Sequence, residues 1–220
     1  MGSVMNLPAP DFPGFGEPSA DDGLEGLHSE LARLRDELDA TRARVRQLEE
    51  AVDQDPLVPP VLNRRAFERE LYRTWSSSRR HGVAACLIYL DVDGLKAVND
   101  THGHAAGDSV LRHVSRVLMA SVRRTDKVGR LGGDEFGILM ERIEVHEARR
   151  LAEAIRTHIG ADTLVGIDCG VAISVSVGVA SFDGSDSGYE VIDMADKAMY
   201  AARRHRRGVA TLGEAGPVGV

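Results

Sequence analysis

Leucine and valine residues recur at alternating steps of three and four between residues 24 and 52. The positions are Leu24, Leu27, Leu31, Leu34, Leu38, Thr41, Val45, Leu48 and Val52. Charged and polar residues lie between them, and no proline interrupts the stretch. This two-in-seven seam predicts a continuous helix over residues 24–53 that pairs with a second copy as a coiled coil. A single amphipathic helix packed on its own domain is the alternative, although such a helix normally carries a wider apolar stripe.

After this seam the pattern changes to alternating helices and strands. Three prolines between Asp53 and Pro60 end the first helix, because proline cannot continue a helix interior. Predicted helices cover residues 64–78, 107–121, 145–159 and 189–206, and predicted strands cover 83–90, 127–131, 135–140, 171–180 and a short stretch near Val209. The pair Gly132-Gly133 suits a tight hairpin with unusual backbone angles. The mixture predicts an α+β fold with helices on one or both faces of a sheet.

Composition narrows the class of protein. The 220 residues are 43% hydrophobic and 28% charged, which is typical of a globular domain. No apolar run approaches the roughly 20 residues needed to cross a bilayer, so we expect no membrane span and a cytoplasmic location. The net charge of -7 argues against a nucleic-acid partner. Residues 1–23 and 213–220 are expected to be flexible tails, and Cys86 and Cys169 are expected to be buried thiols.

Acidic residues stand at two places that a sheet can bring together. Asp91 and Asp93 follow the apolar run 87–90, and Asp134 and Glu135 follow the glycine pair. If the turn lies beside the end of that strand, three or four carboxylates converge at one edge of the sheet, where ligands often bind. Such a group needs a cation, and hard oxygen ligands favour Mg²⁺ or Mn²⁺. Taken alone, Asp91 or the Gly-Gly-Asp turn is better explained by ordinary turn residues, and only the joint pattern favours a metal site.

The joint pattern resembles a known family. The signature of the GGDEF family of diguanylate cyclases is matched by Arg130-Leu131-Gly132-Gly133-Asp134-Glu135-Phe136. The family's D-x-D-x-x-K-x-x-N-D-x-x-G-H-x-x-G-D-x-x-L stretch is matched by Asp91-Val92-Asp93, Lys96, Asn99-Asp100, Gly103-His104, Gly107-Asp108 and Leu111. Its opening N-R-R-x-F and late A-D-x-A-L-Y-x-A motifs are matched by Asn63-Arg64-Arg65-x-Phe67 and by Ala195-Asp196, Ala198 and Tyr200-Ala201-Ala202. The resemblance covers residues 55–208 in the family's order and spacing.

The resemblance implies a fold and a reaction. The fold is a palm-like domain over residues 54–212, with a central, mainly antiparallel five-stranded sheet surrounded by helices and preceded by the coiled-coil helix. The reaction joins two GTP molecules across a homodimer, because the 3′-hydroxyl of each attacks the α-phosphorus of the other, giving cyclic di-GMP and two pyrophosphates. Two Mg²⁺ (or Mn²⁺) ions per active site are then held by Asp91, the Val92 carbonyl and Asp134. Glu135 is a further ligand or a base acting on the hydroxyl.

The resemblance also assigns substrate-binding residues. Asn99 and Asp108 match the positions that read the guanine edge. As structure, Asn99 can be a turn residue and Asp108 a helix N-cap, and either role can coexist with binding. The implied phosphate neighbours are Leu95 and Lys96 in one segment, and Arg203 and Arg207 in the last helix. The alternative for the two arginines is a basic helix end stabilised by the helix dipole.

A second motif and one departure complete the comparison with the family. Arg123-x-x-Asp126 matches the RxxD site at which family members bind cyclic di-GMP as an inhibitor, although a surface helix can also simply end in these residues. The family's D-x-L-T-G-L-x-N-R-R turn has proline in place of threonine and glycine here, at Pro59 and Pro60. This turn links the regulatory helix to the domain. Two rival functions stay open: a sensor that binds GTP or cyclic di-GMP without catalysis, and a related cyclase that uses ATP.

Overall fold

The computed structural model describes residues 20–161, 172–182, 187–205 and 209–211, and it describes no side chains in 20–27 and 46–51. Val171, Cys169 and Arg207 therefore lie outside the described residues. So does the predicted C-terminal tail, and of the predicted N-terminal tail only residues 20–23 are described. The chain divides into two compact units, Met1–Glu49 and Glu50–Val220.

One long helix, α1 (Ala20–Asp53), accounts for the described part of the first unit. It begins four residues before the predicted start and ends at the predicted residue. The apolar seam side chains that the structure describes are open to solvent, with Leu31 50%, Leu34 49% and Leu38 47% exposed. Pairing of this seam with a second copy stays a prediction.

The second unit is built on a five-stranded sheet. Its strands are β1 (Ala85–Asp93), β2 (Lys127–Arg130), β3 (Glu135–Glu141), β4 (Ser174–Ser181) and β5 (Val209–Thr211). They lie in the order β2-β3-β1-β4-β5, and every pair is antiparallel except β4 with β5. The predicted α+β fold with a mainly antiparallel five-stranded sheet is therefore confirmed.

Helices cover both faces of this sheet. They are α2 (Arg64–His81), α3 (Leu95–His102), α4 (His104–Ser121), α5 (Val145–Ala161) and α6 (Gly188–His205). One apolar cluster joins α3, α4 and α5 to the face that carries Leu90 and Phe136. A second cluster joins α2 and α6 to the face that carries Tyr89 and Leu139. The buried thiol of Cys86 lies 3.6 Å from the carbonyl oxygen of Ile143, within the first cluster.

Two elements near the acidic residues differ from the sequence prediction. Strand β1 continues through Asp93 rather than ending at Leu90, because Asp91, Val92 and Asp93 pair with β4. Helix α3 was not predicted at all. It is eight residues long and lies between Gly94 (φ 73) and Gly103 (φ 82), both in backbone conformations that favour glycine. A helix this short carries too few apolar positions to produce a clear periodicity.

The proline-containing turn before α2 is closed by its own hydrogen bonds. The Asp55 carboxylate accepts hydrogen bonds from the backbone N–H groups of Leu57 at 2.9 Å and Val58 at 3.2 Å. The backbone then pairs with the edge of the sheet, since Leu62 N donates to Val128 O at 2.9 Å and Arg130 N donates to Leu62 O at 2.8 Å. The two prolines that replace the family's threonine and glycine therefore leave this turn intact.

Candidate active site

The signature turn lies against the acidic end of β1. The backbone N–H of Val92 donates to the carbonyl oxygen of Asp134 at 3.0 Å, and Glu135 pairs with Asp91 across the two strands. The antiparallel register of β1 and β3 produces this arrangement, because it carries the turn at the start of β3 to the end of β1. The turn and the strand end thus come together as the sequence suggested.

The glycine pair acts differently from the prediction. Neither Gly132 nor Gly133 adopts a positive φ, so the unusual backbone angles expected there are absent. A Cβ atom at Gly132 would stand 3.1 Å from Cδ of Glu135 and closer still to its carboxylate, so a larger residue here would displace the end of that side chain. The turn is wide enough to use ordinary angles, and Leu131 N donates to Glu135 O at 2.8 Å to close it.

Asp91 is the most strongly perturbed carboxylate near the turn. It is only 8% exposed, and burial raises its pKa to about 6 from 3.8, with the neighbouring Asp134 carboxylate adding to the rise. The guanidinium of Arg203 opposes this rise, because it forms an ion pair with Asp91. Asp91 thus carries a negative charge that Arg203 balances only in part.

Arg203 also contacts the second acid of the strand. Its Nη2 lies 3.3 Å from Oδ1 of Asp93. Asp93 is fixed in turn by β4, since the hydroxyls of Ser174 and Ser176 donate to its two carboxylate oxygens at 2.9 and 2.8 Å. The sequence analysis missed both serines. The alternation of Ser174 and Ser176 with valines in β4 was the signal that could have placed them on the acidic face.

Glu135 faces a different partner. Its carboxylate lies near the hydroxyl of Tyr89, and burial together with this carboxylate raises the pKa of Tyr89. Within the described part of the chain, no three Asp, Glu, His or Cys side chains converge closely enough to hold a metal ion by themselves. The carboxylates at this edge therefore do not form a metal site by themselves, and Arg203 contacts two of them, Asp91 and Asp93.

A cavity of about 490 Å³ opens beside this acidic group, between α3, α4 and the signature turn. Five of the predicted site residues line it: Leu95, Lys96, Asn99, Asp108 and Asp134. His104, Gly107, Arg130 and Gly133 also line it, and the sequence analysis gave them no site role. The cavity volume falls in the range typical of small-molecule sites.

Asn99 and Asp108 reach the cavity from neighbouring helices. Asn99 packs against Gly107, where a Cβ atom would stand 2.9 Å from its Cγ and closer still to Oδ1. The Asp108 carboxylate is 44% exposed and lies 3.9 Å from Nη2 of Arg112, so it remains accessible to a ligand. The absence of a side chain at Gly107 allows Asn99 to occupy its position next to Asp108.

Arg130 joins the proline-containing turn to the signature turn. Its Nη2 donates to the carbonyl oxygen of Gly133 at 2.7 Å, and its Nη1 lies 3.4 Å from Oδ1 of Asp55. Both charged side chains are largely buried, with 16% of Arg130 and 14% of Asp55 exposed. Arg130 therefore holds the turn that carries Asp134 against the segment that enters the domain.

The motif Arg123-x-x-Asp126 lies in the turn between α4 and β2. Asp126 Oδ2 accepts a hydrogen bond from the backbone N–H of Arg123 at 2.9 Å, and Asp126 N donates to Arg123 O at 3.0 Å. The Arg123 side chain is exposed. Neither residue lines the cavity at the signature turn. Of the predicted arginine pair, Arg203 contacts the acidic residues and Arg207 lies outside the described residues.

Comparison with known proteins agrees with this geometry. The family model "Diguanylate cyclase, GGDEF domain" matches residues 53–208. Diguanylate cyclase DosC of Escherichia coli strain K12 is 34% identical over 182 residues, covering 80% of this chain and 40% of that protein. Diguanylate cyclase TpbB of Pseudomonas aeruginosa strain PAO1 is 32% identical over 197 residues, covering 87% and 45%. The chain thus spans less than half the length of these two relatives.

Solved structures show the same architecture. The coiled coil and GGDEF domain of DgcB from Caulobacter crescentus, in complex with c-di-GMP, matches with a TM-score of 0.74 at 31% identity, covering 84% of this chain and 98% of that one. Diguanylate cyclase SiaD from Pseudomonas aeruginosa, in complex with its activator SiaC, matches with a TM-score of 0.76 at 30% identity, covering 87% and 74%.

The sheet topology, the signature turn and the cavity beside it are those of a GGDEF domain. The chain belongs to the GGDEF-domain family of diguanylate cyclases. In the described ranges, no helix has the combination of length and apolar character that crossing a bilayer requires.

Proposed function

We propose that this protein is a diguanylate cyclase that condenses two GTP molecules into cyclic di-GMP and two pyrophosphates. The observation that carries the proposal is the 490 Å³ cavity, because Lys96, Asn99, Asp108 and Asp134 line it together although they come from three separate segments. Family membership adds support, and DosC and TpbB are named as diguanylate cyclases. Fold alone would not identify the reaction.

The guanine base is read by Asn99 and Asp108. An amide and a carboxylate suit this base, since the carboxylate accepts from its N1–H and N2–H₂ donors and the amide NH₂ donates to its acceptors. Lys96 lies on the same cavity and supplies a positive charge for the phosphates. The reaction then depends on holding a 3′-hydroxyl and an α-phosphorus in line, which is largely a matter of positioning.

Asp91, the Val92 carbonyl and Asp134 hold the divalent ions, with Glu135 as a further ligand or as the base. The donor set fits two Mg²⁺ or Mn²⁺ ions, because these oxygens are hard ligands and Asp91 carries a charge that its surroundings do not fully balance. Water and phosphate oxygens would supply the ligands that the described side chains do not provide. When bound, the ions polarise the α-phosphate and lower the pKa of the attacking hydroxyl. Arg203 then exchanges part of its contact with Asp91 for the triphosphate.

A homodimer is required because each cavity suits one nucleotide while the reaction joins two. The exposed leucines of α1 provide the means of association, since an open two-in-seven seam is covered when two such helices pair. The proposal therefore includes a parallel coiled coil upstream of the domain. Turnover per protomer should rise with protein concentration until the dimer is saturated.

Cyclic di-GMP binds at Arg123 and Asp126 and inhibits the enzyme. The exposed Arg123 guanidinium can form two parallel hydrogen bonds to guanine or phosphate. Asp126 already closes the local turn, so its free oxygen completes the site without rearrangement. Arg123→Ala should abolish inhibition by added cyclic di-GMP and raise turnover at late reaction times; unchanged inhibition would remove this part of the proposal.

The deciding experiment is incubation of the full chain with GTP and Mg²⁺, followed by chromatography of the nucleotides. We expect cyclic di-GMP and pyrophosphate in a 1:2 ratio, no product from ATP, and no product after chelation of the metal. Binding of GTP or cyclic di-GMP without product at any protein concentration would establish a sensor instead. Turnover of ATP in preference to GTP would contradict the guanine-reading roles of Asn99 and Asp108.

A further inference from the structure

A groove of about 610 Å³ lies between α2 and the start of α6, away from the nucleotide cavity. Its lining includes Leu71, Tyr72 and Trp75 from α2, and Gly188 and Tyr189 from α6. The groove and the nucleotide cavity share none of their lining residues. Nothing in the proposed reaction uses this groove.

The groove is aromatic to a degree that is unusual for open surface. Tyr72 is 65% exposed and Tyr189 is 73% exposed, and they approach the groove from two different helices. Trp75 also lines the groove, with its ring 5.6 Å from that of Tyr72 and with the Arg79 guanidinium 5.6 Å from its centroid. Aromatic side chains and arginine are the residues enriched at the energetic centres of protein interfaces.

The rim of the groove is basic although the chain is acidic. Helix α2 carries six arginines and two glutamates, in a protein with a net charge of -7. Arg65, Arg69 and Arg73 line the groove beside the single carboxylate of Glu68. All three are already paired, Arg73 with Glu70 at 2.5 Å, and Arg65 and Arg69 both with Asp53. These exposed pairs are weak, and each guanidinium has further donors for an incoming carboxylate.

We propose that this basic aromatic groove docks an acidic peptide segment of a partner protein, with one aromatic or aliphatic side chain of the peptide inserted beside Trp75. Charge complementarity selects the flanking Asp or Glu residues, and the apolar floor around Leu71 selects the anchor. The groove would thus give a partner access to this domain without occupying the nucleotide cavity.

The shape of the groove favours a peptide over a membrane surface. A helix that binds a bilayer presents its apolar residues outward along one face. Here the outward positions of α2 are mostly arginine, while Leu71 is buried at the floor and Glu68 stands on the rim. A peptide can enter such a recess, whereas anionic lipid would meet the rim alone.

The test uses Trp75, which is the only tryptophan of the chain and therefore reports on the groove directly. A library of random tryptophan-free 12-residue peptides is selected on the full chain, and the enriched peptides are synthesised. Each is titrated into the protein while the emission of Trp75 is followed, at low and at physiological salt. Anionic phospholipid vesicles are titrated in parallel, and a dilution series of the protein alone measures association between copies.

Three variants give the comparison. Tyr72→Ala should weaken binding of the enriched peptides by about tenfold. Arg73→Gln should weaken binding several-fold and flatten its salt dependence, because one charge pair is lost. Arg80→Gln is the matched control, since Arg80 is an exposed arginine of α2 that does not line the groove. Thermal melting of all three checks that they fold.

The enriched peptides should carry Asp and Glu around one apolar anchor, and they should lose affinity in the first two variants but not in the third. Enrichment of neutral or basic sequences, or equal binding to all variants, would overturn the proposal. A Trp75 response to vesicles without one to peptides would assign the groove to membranes. A response to dilution alone would assign it to a second copy of the chain.

Discussion

The two halves of the candidate site differ in how far their polar side chains already have partners within the protein. In the nucleotide cavity, Asn99 and Asp108 are placed by α3 and α4 and stay accessible to a ligand. In the acidic half, Asp91 and Asp93 are already engaged by Arg203, and Asp93 is also held by two serines. The half around Asn99 and Asp108 is preorganised, whereas the acidic half is partly neutralised by Arg203 and, under the proposed function, must exchange this internal partner when substrate binds.

This difference has a physical origin. An accessible amide or carboxylate stays hydrated, so the folded protein loses little free energy when this group has no protein partner. A carboxylate that is 8% exposed next to another acid loses much of its hydration, so the fold supplies a cation from its own side chains. Arg203 provides that cation in the protein without ligand. Substitutions in the two halves should therefore have different kinetic signatures.

Asp91→Asn should produce the largest effect. It removes a buried negative charge while keeping the size of the side chain, and we expect turnover to fall by at least about a thousandfold. Binding of GTP measured without metal should change by less than about threefold, because the guanine-reading residues are untouched. Turnover within tenfold of the wild type would show that the acidic half is not where the chemistry occurs.

Gly107→Ala tests the other half. The added Cβ displaces Asn99, so the KM for GTP should rise by about tenfold with kcat almost unchanged. Helix α4 should not be weakened, because alanine is the better helix former by up to about 1 kcal/mol. In an Asn99→Ala background the same substitution should have no further effect on KM. A loss that is additive in the double variant would mean that Gly107 acts through something other than Asn99.

Arg130→Gln tests whether the two halves depend on the same turn. Loss of the bond to Gly133 should loosen the segment that carries Asp134, lowering kcat by about fivefold. Asp55→Asn, at the other end of the same interaction, is the matched variant and should lower kcat in the same direction by a smaller factor. Full turnover in both would show that the signature turn is rigid without this support.

Asp91→Asn should stabilise the metal-free protein even though it lowers turnover. The pKa of Asp91 is about 6 in the folded protein, above the ordinary 3.8, so its charge destabilises the fold at higher pH. Asp91→Asn should therefore raise the free energy of unfolding by about 1 kcal/mol above pH 7. Urea titrations across the pH range give the measurement.

The sign of this pH dependence is fixed by the direction of the shift. Because the folded state binds the proton more tightly than the unfolded chain, the wild type gains stability as the pH falls through about 6 towards 4. The Asp91→Asn variant lacks this gain, so the difference between the two proteins should close over the same interval. A constant difference across the interval would show that the asparagine acts through packing instead of charge.

The sequence predicted the parts of this molecule that depend on local pattern. The five strands, α2, α4, α5 and α6 follow from apolar periodicity, and the resemblance to the family placed Asn99 and Asp108 together. Helix α3 was not predicted, because eight residues between two glycines give no periodic signal. The end of β1 was also misjudged, because an acid inside a strand is recognisable only when its neighbours Arg203, Ser174 and Ser176 are known. Those contacts join residues more than 80 positions apart.

The glycine pair shows a different kind of error. Gly132 was expected to adopt an unusual backbone angle, but its φ is not positive, and the Glu135 carboxylate occupies the space that a side chain would fill. The groove on α2 could not be predicted from the sequence either, because Tyr72 and Tyr189 line one groove only when α6 packs against α2. A local sequence pattern does not show which space another side chain will need. It also does not show which surfaces two elements will form together, because both are properties of the fold.

The segment from Asp55 to Leu62 is fastened mostly through main-chain groups: the N–H groups of Leu57 and Val58 on the Asp55 carboxylate, and Leu62 on the edge of β2. Val58 and Val61 are buried in the core, whereas Pro59 and Pro60 between them are exposed, so this joint tolerates variation at the two exposed positions. An engineer could therefore replace the part of α1 that precedes Glu50, where the second unit begins, with an unrelated light- or ligand-responsive module, and leave Asp53 paired with Arg69.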